Sequence, residues 1–378
     1  MLGPFRLGTT ENFLEPGFAT QLRLSVSGST DSDARAQVEL RRLRLSLRGR
    51  FLDGRLTFFF QMNTTPAALE LIDVWANVRF LEGLELRVGQ FKTPFTRFRG
   101  QSFLSLSLAD WPVFSTHFGS ERQLGLLVHD GGGDGSHWVY QVGVFTGVNA
   151  RASFARGLAD VYAEALTNPS DLRTFHGPTS LHPELVARVG HEAAGVHSAQ
   201  DSDERGGGLR HSLHFSAAWD LRPAYPIDFS ARLAPEVLLK WNHVFLDVVA
   251  AAGWFKDAAG AVGLASVGEN VEAGWRFSPR WEVTGRFSRV DNTDAVRTDA
   301  LTRAQGLIAA APADEQADVR AQYASAGTPR WRQEVAAGLN VYLLGDGLKW
   351  QTDLTWTRTV SGATTDEVRL RSQLQLAF

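Results

Sequence analysis

Apolar and polar residues alternate along most of this chain. In the last eleven residues, VRLRSQLQLAF, the apolar positions are Val368, Leu370, Leu374, Leu376 and Phe378, and Arg369, Arg371, Gln373 and Gln375 stand between them. A period of two puts one set on each face of a β-strand. The same pattern recurs in about sixteen segments long enough for a membrane strand. They fall near 18–28, 36–48, 54–62, 70–80, 84–91, 121–129, 137–147, 183–191, 210–219, 231–241, 243–254, 265–277, 281–290, 331–343, 348–360 and 366–378. RLTFFFQM, LELRVGQ, HWVYQVGVF, WEVTGRFS and LKWQTDLTW are clear examples.

The connections sort by parity. Every second one returns to the side on which the first strand begins: GRFLD, LEGL, DGGGDGS, 192–209, the junction at Asn242, SPR and LGDG. All but 192–209 are tight turns rich in Gly, Asp, Asn or Pro. The opposite side receives 29–35, 63–69, 92–120, 148–182, 220–230, 255–264, 291–330 and 361–365, which include nearly all the long connections. Short turns on one rim, long loops on the other, and an even strand count are the marks of a bacterial outer-membrane barrel. Trp138, Trp219, Trp241, Trp254, Trp281, Trp331 and Trp350 lie at or near strand ends, where such barrels carry aromatic girdles. The expected organisation is all-β: a periplasmic N-terminal segment over 1–17, then a single transmembrane antiparallel β-barrel over 18–378. Its last strand closes against its first, so that no edge is left open in lipid.

Composition narrows the alternatives. The longest apolar run, Val248–Phe255, is far shorter than a membrane helix needs. The opening MLGPFRLGTT has no signal-peptide h-region, so an exported chain is expected here in mature or trimmed form. Cysteine is absent, which excludes disulfide scaffolds, zinc–thiolate sites and cysteine nucleophiles. A net charge of −3 leaves no footprint for nucleic acid. Basic residues are lopsided in type. The lysines are Lys92, Lys240, Lys256 and Lys349, and the other 34 basic positions are arginine; high-GC codon usage explains such a bias without function. The segments 154–166 and 299–325 have the composition of short helices within outer loops. GGGDG at 131–135 reads as a solvated turn, and the scattered histidines give no metal-ligand spacing. No cofactor, metal or catalytic residue is expected; a barrel enzyme would need a Ser/His/Asn or Asp/His cluster at one rim.

Several stretches resemble the phosphate-selective porin O and P family: RRLRLSLRG, LIDVWANV, LRVGQFKTPF and, less specifically, VGVFTGVNA at 142–150. The resemblance runs from about Val38 to Ala150. It implies a sixteen-stranded, usually trimeric porin whose third outer loop folds into the lumen. The third long connection, Lys92–Ser120, has that ordinal position. Its Phe95, Phe98, Phe103, Leu104, Leu106, Leu108, Trp111 and Phe114 make it too apolar for an ordinary surface loop. The aromatic C-terminus resembles the assembly signal of such barrels, carried here by Leu374, Leu376 and Phe378.

Alternation also assigns the lumen. Arg23, Arg42, Arg44, Arg48, Arg55, Arg369 and Arg371 are expected to form one basic wall on neighbouring strands, provided a bulge near Arg41–Arg42 keeps Leu43, Leu45 and Leu47 outward. Arg87, with Lys92, Arg97 and Arg99 of the loop, is expected to face it. Arginine stays charged and presents planar donors, so such a file favours small anions. Asp73, Glu85, Glu236, Glu272, Glu282, Glu334 and Asp353 also point inward by alternation and compete with this reading. The resemblance implies phosphate selectivity, which in the family leans on lysines as well; only Lys92 lies near the loop. The leading reading is an anion-preferring outer-membrane diffusion porin for small anions such as phosphate or polyphosphate, with lipid and lipopolysaccharide around it and a homotrimeric assembly. A non-selective or organic-anion porin is the alternative within transport; outside it, an outer-membrane barrel enzyme such as a phospholipase or protease is the runner-up and a soluble β-protein the third reading.

Overall fold

A computed structural model describes residues 5–65, 68–119, 122–132, 135–146, 183–220, 230–257, 259–310, 313, 316, 329–361 and 363–378. The strands are β1 Phe13–Ser29, β2 Ser32–Phe51, β3 Leu56–Thr65, β4 Ala68–Leu81, β5 Leu84–Lys92, β6 Arg122–His129, β7 His137–Phe145 and β8 Glu184–Glu192. They continue as β9 Arg210–Asp220, β10 Ser230–Trp241, β11 Val244–Lys256, β12 Val262–Ser278, β13 Trp281–Asn292, β14 Trp331–Tyr342, β15 Leu348–Val360 and β16 Thr364–Ala377. Each pairs antiparallel with the next, and β16 pairs with β1 from Glu367↔Ser29 to Ala377↔Ala19. The result is a closed sixteen-stranded antiparallel barrel. A two-residue ladder, Leu7↔Leu14 and Gly8↔Phe13, precedes it.

Alternation decides what each strand buries. Along β9 to β13, polar residues such as Ser212, Glu236, Asp247, Asn270 and Arg286 are buried, and apolar neighbours such as Leu213, Val248, Val271 and Val283 are exposed. This is a soluble core turned inside out, as a barrel in hydrocarbon requires. Trp138, Trp241, Trp275, Trp281 and Trp350 stand exposed towards the rim that bears the chain termini; Trp219 stands exposed towards the other. The C-terminus is clamped at the seam. The Phe18 and Phe378 backbones exchange hydrogen bonds of 2.9 and 3.0 Å, and their rings stack at 5.2 Å. Leu374 and Leu376 face outward beside them.

The expected bulge is present. Gln21 pairs with Arg42 and Leu22 with Leu40, which leaves Arg41 as the extra residue and restores Leu45 to the outer face. Two expectations are corrected. The first strand starts at Phe13, five residues early, because it pairs with a longer β2. The first outer connection is the two-residue turn Thr30–Asp31 rather than a loop over 29–35; the Ser29 hydroxyl, 2.9 Å from that of Ser32, accepts from the Asp31 amide and makes the turn tight. Within the 291–330 connection a helix spans Asp294–Ala310; the helix expected over 154–166 lies outside the described residues.

Candidate functional site

Segment 93–119 carries two short helices, α1 Arg97–Gly100 and α2 Val113–Phe118, with a single 3-10 turn between them. Its donors meet lumen-face carboxylates of distant strands. The Arg97 amide donates to Glu236 of β10 at 3.0 Å, the Ala109 amide to Asp353 of β15 at 2.8 Å, and the Ser107 hydroxyl to Glu272 of β12. Lys349 of β15 reaches back, its Nζ on the Leu104 and Leu106 carbonyl oxygens at 2.8 and 3.0 Å. The apolar side chains Phe95, Phe98, Leu108, Phe114 and Phe118 are all buried. Two wall glycines make room for them. A Cβ at Gly268 would lie 2.5 Å from the Phe118 ring, and one at Gly338 would lie 2.5 Å from Leu108. The inward acids therefore do a job that alternation alone does not reveal: several of them hold the segment by its backbone.

Among the described residues the expected pore cations divide into two sets by whether a carboxylate binds them, since ring contacts alone do not separate them: Arg42 lies 4.9 Å from Trp111 and Arg97 4.9 Å from Phe98. The first is bound to carboxylates. Arg23 and Arg41 each lie 3.1 Å from Asp110 of the segment, and Arg42 lies 3.5 Å from it. Arg371 is paired with Asp353 at 2.7 Å. Four guanidiniums thus face two carboxylates across the β16–β1–β2 seam, with Gln21, Gln373 and Gln375 bridging between strands. Burial pushes the Asp110 carboxyl up, but Arg42, Arg41, Arg23 and Arg371 override it and hold it well below the usual carboxylate range. Burial, reinforced by Arg232 and Arg332, pushes His117 down to about 3, so it is neutral at physiological pH.

The second set lies on aromatic faces. Arg87 sits 4.3 Å above the Trp75 ring and 5.5 Å from Phe91, Arg44 sits 4.4 Å above Phe103, and Arg48 lies 5.9 Å from Phe59. None of these three has a carboxylate partner among the described residues, and the Arg87 Nε has no hydrogen-bond partner. Aromatic faces stabilise a guanidinium without neutralising it. Lys92 joins this side, its Nζ 5.7 Å from the Trp111 ring and 2.6 Å from the Gln101 carbonyl oxygen.

Three expected pore residues are placed differently. Arg55 lies in the exposed turn 52–55, since β3 begins only at Leu56. Arg97 is buried against Asp201, Glu236 and Asp247 rather than presented to solutes, because the far wall of β10 and β11 is acidic where the segment meets it. Arg369 is paired with Glu367 on its own strand. The Arg99 side chain lies outside the described residues. Asp110, which organises the seam, carries no motif; only its place in an apolar loop opposite an arginine file could have pointed to it. Asp201, in the one long connection on the short-turn rim, was equally silent.

This geometry fixes one charge against pH. A carboxyl held down by arginines keeps its charge until the pH falls below the ordinary carboxylate range, so Asp110 is ionised above about pH 5. Asp110→Asn removes one of the two acids at the seam. We expect it to shift the reversal potential in a salt gradient towards anions, and by the same amount at pH 8 and about pH 5. An effect of Asp110→Asn that disappears at the lower pH would contradict the assignment.

A closed barrel with an apolar exterior, aromatic rims and a charged interior defines an outer-membrane channel, and the comparisons agree. Residues 19–186 match the model of the family described as phosphate-selective porin O and P, and the fold is that of a bacterial outer-membrane β-barrel. No curated protein sequence matches it. Among solved structures, the outer membrane channel DcaP of Acinetobacter baumannii superposes with TM-score 0.64 at 10% identity, covering 100% of both chains. OprB of Pseudomonas putida gives 0.61 at 10% identity, covering 96% of this chain and 94% of that one. An anion-selective porin from Comamonas acidovorans gives 0.57 at 10% identity, covering 97% and 100%.

Proposed function

We propose that the protein is a passive, anion-preferring diffusion porin. Its mechanism is a water-filled lumen narrowed by segment 93–119, along which solutes pass the wall of β2–β5. The observation that carries this reading is the row Arg44, Arg48 and Arg87, each charged, each on an aromatic ring, and none paired with a carboxylate among the described residues. Low-dielectric walls strengthen such charges, and a permeating ion has shed part of its water. The carboxylate-bound arginines, Arg23, Arg42, Arg97 and Arg371, serve as scaffold. The anion-selective Comamonas porin among similar folds is consistent with the preference. The family match makes phosphate the first solute to test against chloride, and the shortage of lysine argues for a broad anion preference over a phosphate-specific one.

The same reading places the stretch before Phe13 on the periplasmic rim, lipid around the apolar belt, lipopolysaccharide at the outer leaflet and three copies in the assembly. Its chemistry is transport; no reaction is proposed. Planar-bilayer recording in a potassium chloride gradient tests it. We expect a reversal potential of the sign that marks anion preference, larger at low salt because screening is weaker there. A value near zero would leave a non-selective porin.

A further inference from the structure

The connection between β8 and β9 breaks the pattern of its rim. Every other turn there is tight, yet residues 193–209 form a long excursion that returns into the barrel. Gly195 at φ +70° and His197 at φ +45° turn it inward, both in the left-handed region that is uncommon outside glycine. Val196 is buried with Leu238 and Phe245 of the wall. Lys240 of β10 donates to three of its carbonyl oxygens, those of His197, Gln200 and Ser202, at 3.1, 2.9 and 3.1 Å.

The tip of this strap meets the constriction segment. The Asp201 carboxylate, 1% exposed, accepts from Arg97 Nη1 at 2.8 Å, from Gln101 Nε2 at 3.2 Å and from the Ser107 amide at 3.0 Å. Its own amide lies 3.4 Å from the Ser105 carbonyl oxygen. On the other flank, Ser198 and Ala199 face Arg87 and Gln141 across a recess of about 450 Å³ that opens on the same rim.

We infer that residues 193–203 are a second, periplasmic element of the constriction, and that Asp201 is the positioning residue joining it to segment 93–119. The strap holds the segment from beneath and confines the exit to the recess beside Arg87. One acid can do this because its three protein donors span an eleven-residue stretch, Arg97 to Ser107, so that it fixes the curvature of that stretch as well as its position. The inference rests on the porin reading.

The test uses the full chain in planar bilayers. Residues 195–209 are replaced by Asn-Gly, which suits a two-residue hairpin, and folding is checked by heat-modifiable migration. We expect single-channel conductance to rise about twofold, as a wider exit requires. Asp201→Asn, a smaller change, should give a noisier channel with frequent sublevels, because the segment loses its charged anchor. The chain has no cysteine, so Ala199→Cys offers a clean reporter: a sulfonate-bearing methanethiosulfonate should reduce the current when the thiol lines the exit. A folded deletion variant with unchanged conductance, or a modified Ala199→Cys channel with unchanged current, overturns the inference while leaving the porin reading intact. A parent protein that forms no channel overturns both.

Discussion

Replacing Arg44 and Arg87 together with glutamate turns the channel from anion preference to cation preference. Both guanidiniums lie on ring faces, Phe103 at 4.4 Å and Trp75 at 4.3 Å, with no carboxylate bound to them among the described residues. Their field therefore reaches the path of the solute. An ion 4 Å from a unit charge feels about 1 kcal/mol in bulk water and about 4 kcal/mol at an effective dielectric of 20. A change of about 1.4 kcal/mol is tenfold in partition. Reversing two such charges removes an attraction for anions and installs one for cations, so the reversal potential should change sign in a potassium chloride gradient. The shift should shrink as salt rises and the screening length falls below about 10 Å. Arg23→Gln or Arg371→Gln is the control. Those side chains are bound to Asp110 and Asp353, and losing them should impair folding more than it alters the sign of selectivity. If the double glutamate channel keeps its anion preference, the aromatic-seated arginines are not the selectivity element.

Much of this was legible in the sequence, for physical reasons. Hydrocarbon outside and water inside force strict alternation, and a closed sheet whose every neighbouring pair is antiparallel forces an even count with both termini on one rim. The sixteen segments and the bulge at Arg41 follow from those constraints. Even Phe378 is explained, as the ring that stacks on Phe18 where the last strand meets the first. Alternation says which residues face inward, but not what they meet there. Arg42 and Arg87 read alike in sequence, yet one is spent on Asp110 and Gln21 and the other is seated on Trp75. The difference depends on where segment 93–119 returns, and that route is set by long-range partners such as Glu236, Glu272 and Asp353. Arg55 differs for a smaller reason: the alternation over 54–62 runs two residues, Gly54 and Arg55, into a turn. The strap at 193–209 was visible only as an exception to loop parity, with nothing in its composition to say that Asp201 would end beneath Arg97.

Removing most of segment 93–119 should enlarge the pore and weaken its selectivity at once. The barrel ladder runs unbroken through sixteen strands without help from the segment, so a variant joining β5 to β6 by a short Gly-Ser linker should still close. Its lumen would lose the buried Phe95, Phe98, Phe114 and Phe118. Barrels of this strand number leave an aqueous channel when nothing fills them, so conductance should rise at least about threefold. The change in selectivity follows from the anchors. Glu236, Glu272 and Asp353 now accept from Arg97, Ser107 and Ala109, and Asp247 is paired with Arg97. Without the segment these carboxylates are uncovered to the water of the pore, Asp247 losing Arg97 while Glu236, Glu272 and Asp353 keep Arg188, Arg286 and Arg371, and Arg23, Arg41 and Arg42 lose Asp110. The segment carries Arg97 and Arg99 against a single acid, Asp110, so its loss removes net positive charge while it uncovers the anchoring carboxylates, and the net shift is towards cations even though the seam becomes more basic. The two effects separate the segment from the strap, whose removal should widen the exit and leave those four acids covered. Unchanged conductance in a folded segment-deleted channel would mean that the narrowest point lies elsewhere; increased conductance with undiminished anion preference would mean that the released acids do not reach the path of the ion.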